Sequence, residues 1–303
     1  MVYEKILLSI FLILQITGFA GAATLNVGPE QTYKTIQSAV DVAGPGDVVS
    51  VSEGTYLENV VVKGNGIMII GNNKEKTIVD GKKTGSVFRI TANNIVISGF
   101  TIQDSGGSGK EDGGVSIYTG NNNLIANNII TNDPAGIAIY QSSNNNEVSG
   151  NIIMSNGRNG GIFIFSSNDN KIFNNDIKEN VFGVYGDSAR SNRIYANNFI
   201  NNKDQAFDNS GMNSWDDGKS GNYWSDYKGS GGFAVLGGKS KDNFPLSASI
   251  SIKNVEIPGL SAKQQTQEPT QTGTGKSTPG LSFGTVMISL ILIYYYNRRH
   301  HDN

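Results

Sequence analysis

Charged side chains gather between Gln103 and Gly113, where Asp104, Lys110, Glu111 and Asp112 share one polar stretch. A polysaccharide lyase pairs acidic Ca²⁺ ligands with an Arg or Lys base, and Arg89 with Asp104 and Asp112 is the best such catalytic set here. The competing reading is a solvated loop. A glycosidase instead needs two carboxylates about 5–9.5 Å apart. Asp169, Asp176 and Glu179 crowd into one repeat, and Asp187 stands alone. Asp216, Asp217 and Asp226 form a second acidic group, either a small calcium site or part of a terminal cap. Aromatic residues offer different chemistry. Tyr118, Tyr140 and Phe165, with Phe163 and Tyr185 beside them, recur at intervals that would set flat amphipathic rings in a row, a platform on which sugars can stack. Both readings depend on the element that carries these residues.

That element is a repeat. Asn123, Ile125, Asn128, Ile130 and Asp133 set a pattern that returns as Asn146, Val148, Asn151, Ile153, Asn156. It returns again as Asn170, Ile172, Asn175, Ile177, Asn180 and as Asn192, Ile194, Asn197, Phe199, Asn202, at successive offsets of 23, 24 and 22 residues. A Gly followed by alternating residues lies between the copies: Gly114–Tyr118, Gly136–Tyr140, Gly161–Phe165, Gly183–Tyr185. A unit this short cannot bury a core alone and must stack on its neighbours. Its period of two and its Ile/Val content exclude helical repeats. The expectation is an all-β fold, a right-handed, three-sided parallel β-helix of ~22–24 residues per coil, with coils about 4.8 Å apart.

Stacking places like residues above one another, so each Asn would bond the Asn of the next coil. A buried amide without partners costs roughly 1–3 kcal/mol, and a continuous ladder avoids that cost. Glycosylation is not the reason for the asparagines, since the chain contains no Asn-x-Ser/Thr sequence. Taking Ile137 and Ile139 as inward, Tyr118, Tyr140 and Phe165 form one outward column ending at Asp187. Ser116, Ala138, Phe163 and Tyr185 form the next. The alternatives are that the 103–113 loop or the stalk covers these rings, or that they serve only to stabilise the sheet.

A net charge of −2 provides no basic stripe for nucleic acid. With no Cys, disulfides and thiolate metal sites are excluded. Residues 1–23 read as a secretory signal: Lys5, an apolar core Ile6–Phe19, and Ala20-Gly-Ala22 at the cleavage point. Residues 24–257 are expected to form the β-helix domain, with a C-terminal capping module at 208–247. Residues 258–279 form a flexible Gln/Thr/Gly/Pro-rich stalk. Residues 280–299 form a transmembrane or sorting segment, whose tyrosines and arginines suit a membrane edge. Near the start, Ile36, Ala39, Val40 and Ala43 predict a short helix over 33–43 as a lid on the first coil. Strands are expected at Val48–Val51, 59–62, 67–70, Thr77–Asp80, 87–90 and 95–102, with Glu53–Tyr56 a turn.

The stretch "YKTIQSAVDVAGPGDVVSVSEGTYLENVVV" with "IMIIGNN…TIVDG" resembles the opening of pectin-lyase-like right-handed β-helix proteins. The coils "NNNLIANNIITN" and "NNNEVSGNIIMSN" resemble NosD-type repeats, also called the carbohydrate-binding and sugar-hydrolysis domain. "NSWDDGKSGNYWSDY" followed by "DNFPL" resembles the closing module of archaeal NosD-like surface proteins, and Pro279-Gly280 before an apolar run resembles archaeal sorting signals. The resemblance covers roughly 30–247. It implies a protein secreted and tethered at the cell surface, a structural or carbohydrate-binding module whose partners are a polysaccharide or envelope glycan and, through the C-terminal segment, the membrane. The alternative it implies is an extracellular polysaccharide lyase or glycoside hydrolase. A third is a NosD-type periplasmic role in metalloenzyme maturation.

The chain departs from these families in three ways. Lys228–Lys241 contains no Asp where relatives carry an Asp- and Gly-rich loop, which leaves Asp216, Asp217 and Asp226 as the remaining calcium ligands. The later motifs of pectin methylesterases are missing. Copper, which the NosD name suggests, needs soft or imidazole ligands brought together, yet the two histidines, His300 and His301, follow the apolar tail and the five methionines are scattered.

Overall fold

The computed structural model describes residues 22–260 apart from Ser108 and Lys110. The expected signal, the sorting segment and most of the stalk lie outside the described residues. Short parallel strands form three walls of eight, seven and eight strands. In one coil, Leu124–Ala126 lies in the first wall, Ile129–Thr131 in the second and Ala135–Tyr140 in the third. Each strand pairs with its equivalents in the coils before and after, as Ile125 does with Ile97 and Val148. The chain is a parallel β-helix. Its core is one continuous column of inward Ile, Val and Phe, including Ile97, Ile125, Val148, Ile172 and Ile194 along the first wall.

Corners separate the walls, and they explain the polar repeat. Asn122, Asn127 and Asn132 take left-handed backbone conformations, with φ of 57°, 59° and 61°. Asn adopts that region more readily than other non-glycine residues. The asparagine that follows each corner turns inward. Asn151 donates from Nδ2 to Asn175 Oδ1 (3.0 Å), Ile125 O (2.8 Å) and Ser149 O (3.1 Å). Its Oδ1 accepts the backbone N–H and the Nδ2 of Asn128, at 3.0 and 3.1 Å. The file runs from Asn128 through Asn151, Asn175 and Asn197 to Asn222. A second descends from Asn146 through Asn170 and Asn192 to Asn213, and a third from Asn156 through Asn180 to Asn202.

The glycine near the start of the third-wall strands abuts the third file at Gly136 and Gly161. A Cβ on Gly136 would lie 2.6 Å from Gly161 O and 2.8 Å from Asn156 Nδ2. Gly is required there by close approach to the ladder.

The ends differ in detail from expectation. The capping helix is Ile36–Val40, shorter than 33–43, and it ends at Asp41 ahead of Gly44-Pro45-Gly46. Thr35 accepts the Ser38 N–H, and the Glu58 carboxylate takes the Ile36 and Gln37 N–H groups at 2.9 and 3.0 Å. Gly54–Tyr56, expected as a turn, is a strand paired with Thr77–Val79. The expected strand over 95–102 divides at the Gly99 corner into Val96–Ser98 and Thr101–Gln103. Past the last coil, the segment from Ile250 to Leu260 runs back toward the first coils along the corner between the first and second walls.

Two outcomes follow from the ladder. Asn151→Ala leaves the buried Asn128 N–H without its acceptor and takes the Nδ2 donor from Ile125 O and Ser149 O, while Asn128 Nδ2 keeps Ile97 O, so stability should fall by about 3 kcal/mol. Asn123, whose Nδ2 is already buried without a partner and whose Oδ1 holds the Ile95 N–H, should lose less on the same change, about 1–2 kcal/mol. Urea midpoints measure both. Asp133 occupies a rung that is Asn in the later coils, and burial, then the nearby Asp104 and Asp80 charges, push its carboxyl well above its ordinary value of 3.8. Its ionised form is penalised in the fold, so stability should drop as pH rises from that value through the elevated one. Asp133→Asn should remove this slope. The two proteins should match at the acid end of a denaturation series, and the variant should be more stable at neutral pH.

Candidate functional site on the outside of the third wall

Alternation along the third wall turns Ala138 and Tyr140 outward while Ile137 and Ile139 enter the core. Register then aligns Tyr118, Tyr140, Phe165 and Asp187 in one outer column and Ser116, Ala138, Phe163 and Tyr185 in the next. Ala135, Ala138, Tyr140 and Phe163 form an apolar cluster outside the coil, flanked by Tyr118, Phe165 and Tyr185. The rings touch in tilted or edge-to-face pairs: Tyr140–Phe163 at 5.4 Å, Tyr140–Phe165 at 5.8 Å and Phe163–Tyr185 at 5.3 Å between centroids.

The two central rings are not open to solvent. Tyr140 and Phe163 are 5 % and 4 % exposed, whereas Tyr118, Phe165 and Tyr185 are partly exposed. Tyr140 Oη is buried without a hydrogen-bond partner. Burial, then the Glu111 and Asp112 carboxylates, push its hydroxyl far above the ordinary tyrosine range, and Arg158 opposes them. Arg158 also donates to Gly107 O and Gly109 O, which ties the lateral loop to the neighbouring coils. The platform is therefore a rim of accessible rings around a buried pair.

The column extends beyond the expected residues. Phe182 meets Tyr185 edge-on at 5.0 Å, and Phe207 stacks on Tyr185 at 4.7 Å and 14°. Phe207 aligns with Tyr185 in the register, so continuing the alternation one coil further identifies it from sequence. Phe182 precedes the glycine marker and aligns with Asp204, outside the alternation used to find the others. A further stacked pair, Phe173 and Tyr195 at 5.4 Å, stands on the first wall with Arg193 over Tyr195.

Arg89, Asp104 and Asp112 are held by separate groups of neighbours. Arg89 aligns with Ser116, and its guanidinium lies 5.1 Å from the Tyr118 ring centroid. Asp104 accepts from Asn132 Nδ2 and from Gln103 Nε2, and Gln103 Nε2 also reaches Asp80 Oδ2 at 3.1 Å. Asp112 accepts the Gly109 N–H. Among the described residues the ion pair formed joins Lys76 to Glu53, not Arg89 to either acid. Asp216 caps Gly218 and binds Asn243, Asp217 takes the Lys219 and Ser220 N–H groups, and Asp226 accepts from Gln205. Asp216 and Asp217 hold turns, and Asp216 and Asp226 also bridge to distant residues. No group of three or more His, Cys, Asp or Glu able to hold a metal occurs among the described residues. Trp215 and Trp224 are both 1 % exposed, and Trp224 stacks between Phe199 and Phe233 at 4.3 and 4.1 Å, closing the last coil.

Residues 31–229 match the model of the family described as periplasmic copper-binding protein (NosD). A cell surface glycoprotein of Methanothermus fervidus is 31 % identical over 100 residues, which cover 32 % of this chain and 16 % of that protein. Among solved structures, a Geobacillus virus E2 protein aligns at TM-score 0.49 and 17 % identity, covering 71 % of this chain and 48 % of its own. A carrot pectin methylesterase aligns at TM-score 0.39 and 16 % identity over 59 % of this chain and 64 % of its own. An alpha-1,3-glucanase catalytic domain in complex with tetrasaccharides aligns at 0.47 and 14 %, over 67 % and 39 %. The chain thus spans a small part of the curated relative and about half of the first of these structures.

The copper of the family description has no counterpart in the described residues. They contain no His or Cys, and Met68, Met154 and Met212 fall on different coils. With its family model matched over more than half its length, the chain belongs to the NosD family of parallel β-helix proteins.

Proposed function

We propose that this protein is an extracellular glycan-binding rod whose contact face is the outside of the third wall. The observation that supports this reading is the rim of partly exposed rings, Tyr118, Phe165, Tyr185 and Phe207, set around the buried Tyr140 and Phe163. Rings locked by packing offer flat amphipathic surface with little ordering cost on binding. Arg89 over Tyr118, the Tyr118–Gln141 hydrogen bond and Asp187 supply polar contacts along the edge. The periplasmic description of the family and the likeness to a cell surface glycoprotein support a place outside the cytoplasm. Tethering through 280–299 belongs to the same proposal. Binding ranks ahead of bond cleavage because Asp104 and Asp112 are turned to different amide donors rather than to Arg89.

A glycan array with the full chain tests this. Phe165→Ala with Tyr185→Ala should weaken retained glycans about ten-fold or more, at ~0.5–1.5 kcal/mol per ring contact. Phe173→Ala on the first wall should have no effect. Tyr140→Phe removes a hydroxyl that bonds nothing and should bind as the parent does. An unchanged profile for the double variant would remove the third wall as the contact face. Reducing-sugar or unsaturated-product release by the parent chain would replace the binding reading with an enzymatic one.

A further inference from the structure

The segment from Ile250 to Leu260 belongs to none of the three walls, yet it is bound along the length of the solenoid. Asn198, Asn174 and Asn127 each hold it by the N–H and the C=O of a single residue. Asn198 accepts the Ile250 N–H at 2.9 Å and donates to Ile250 O at 2.8 Å. Asn174 makes the same pair with Lys253, at 3.1 and 2.8 Å, and Asn127 with Val255, at 2.7 and 2.9 Å. The coil between them has Gly150 at that corner, where a Cβ would stand 3.3 Å from Lys253 O and 3.1 Å from Val255 Cγ2. All six of these hydrogen bonds read main chain, as a neighbouring strand would.

Side chains fix the direction. On the outer face of the first wall, Val48, Met68, Val96 and Leu124 occupy one column in the early coils, and Glu147, Lys171 and Arg193 continue it. Val255, Ile257 and Leu260 pack on the apolar half, leaving Ile257 and Leu260 4 % and 8 % exposed. The polar half of the segment crosses the charged coils. The link to the body, Ser247-Ala248-Ser249, is exposed.

We propose that this corner is an exchangeable docking site for an extended segment, filled in cis here and filled in trans by residues 250–260 of a second copy. The occupant is a second copy because the site demands both an extended main chain and apolar residues matched to the Val48–Leu124 column. Residues 250–260 supply both. Exchange preserves each of these hydrogen bonds and apolar contacts, so it costs only association and the strain of a redirected link. No coil ladder opens, because the three walls are complete without the segment. The inference does not depend on glycan binding.

The chain has no Cys, so single thiols can be placed freely. Ile152 and Ser251 line one cavity between the segment and the second wall. Full-length Ile152→Cys and Ser251→Cys proteins, mixed at high concentration and treated with a short bis-maleimide, should give a crosslinked heterodimer whose linked peptides contain Cys at 152 and 251. The hetero-crosslink should rise with concentration and be lost when both partners also carry Asn127→Ala, Asn174→Ala and Asn198→Ala. Circular dichroism of that triple variant checks that the coils persist. Monomers without hetero-crosslink at every concentration would overturn the proposal. So would a crosslink that survives the triple substitution in folded protein, since the contact would then lie elsewhere.

Discussion

The inward asparagine amide is the interaction on which the architecture rests. A parallel β-helix must turn three corners per coil, and each corner brings backbone N–H and C=O groups to the edge of an apolar core. The Asn side chain answers both: its Oδ1 accepts from the coil before it, and its Nδ2 fills carbonyls there while reaching the next Asn. Because each amide needs the one above and the one below, the coil spacing and register are set together. Slipping one coil by a residue would unpair its buried amides from those of the coils before and after it, in every file at once.

This division of labour leaves the outside free. Ladders and inward aliphatics settle the fold, so outward positions carry whatever the surface needs. On the third wall they carry rings; on the first wall they pass from apolar to charged along the axis. The apolar half of the first wall would expose Val48, Met68, Val96 and Leu124 to water without Val255, Ile257 and Leu260 over it. Its cover comes from a segment distant in sequence, held by side chains that also make the corners. Asn127 and Asn174 thus do two jobs, one through a left-handed φ and one through the amide beyond it.

What could be read from the sequence follows the same division. The files through Asn128 and Asn151 were legible because exact spacing is the physical requirement for stacking, and the glycine marker at Gly136 was legible for the same reason. The strand Gly54–Tyr56 was not, because Glu53-Gly54 carries a turn signal and a three-residue strand gets its structure from pairing with Thr77–Val79 rather than from its own propensity. The aromatic columns could be aligned by register, but the burial of Tyr140 depends on a lateral loop whose path no periodicity describes. The docked segment was missed for a related reason. Its hydrogen bonds are made by its backbone, and its packing by only Val255, Ile257 and Leu260, too few to show a period. The unexplained outward residues Val48, Met68, Val96 and Leu124 were the available clue that something had to cover them.

The same reasoning separates family from chemistry. Membership is carried by the ladder pattern, which is interior, and among the described residues the buried ionisable groups are three carboxylates, Asp133 on a rung and Asp208 and Asp242 at the closing end. Any metal or substrate must be met by outward residues, and these are the positions that stacking leaves unconstrained. A family description that names copper therefore passes to this chain only if its own exterior supplies the donors. Here the exterior supplies amides that hold turns and a docked segment, and rings that hold one another. Among the described residues such a surface brings together no set of soft or imidazole donors, and whatever it does carry leaves the core undisturbed.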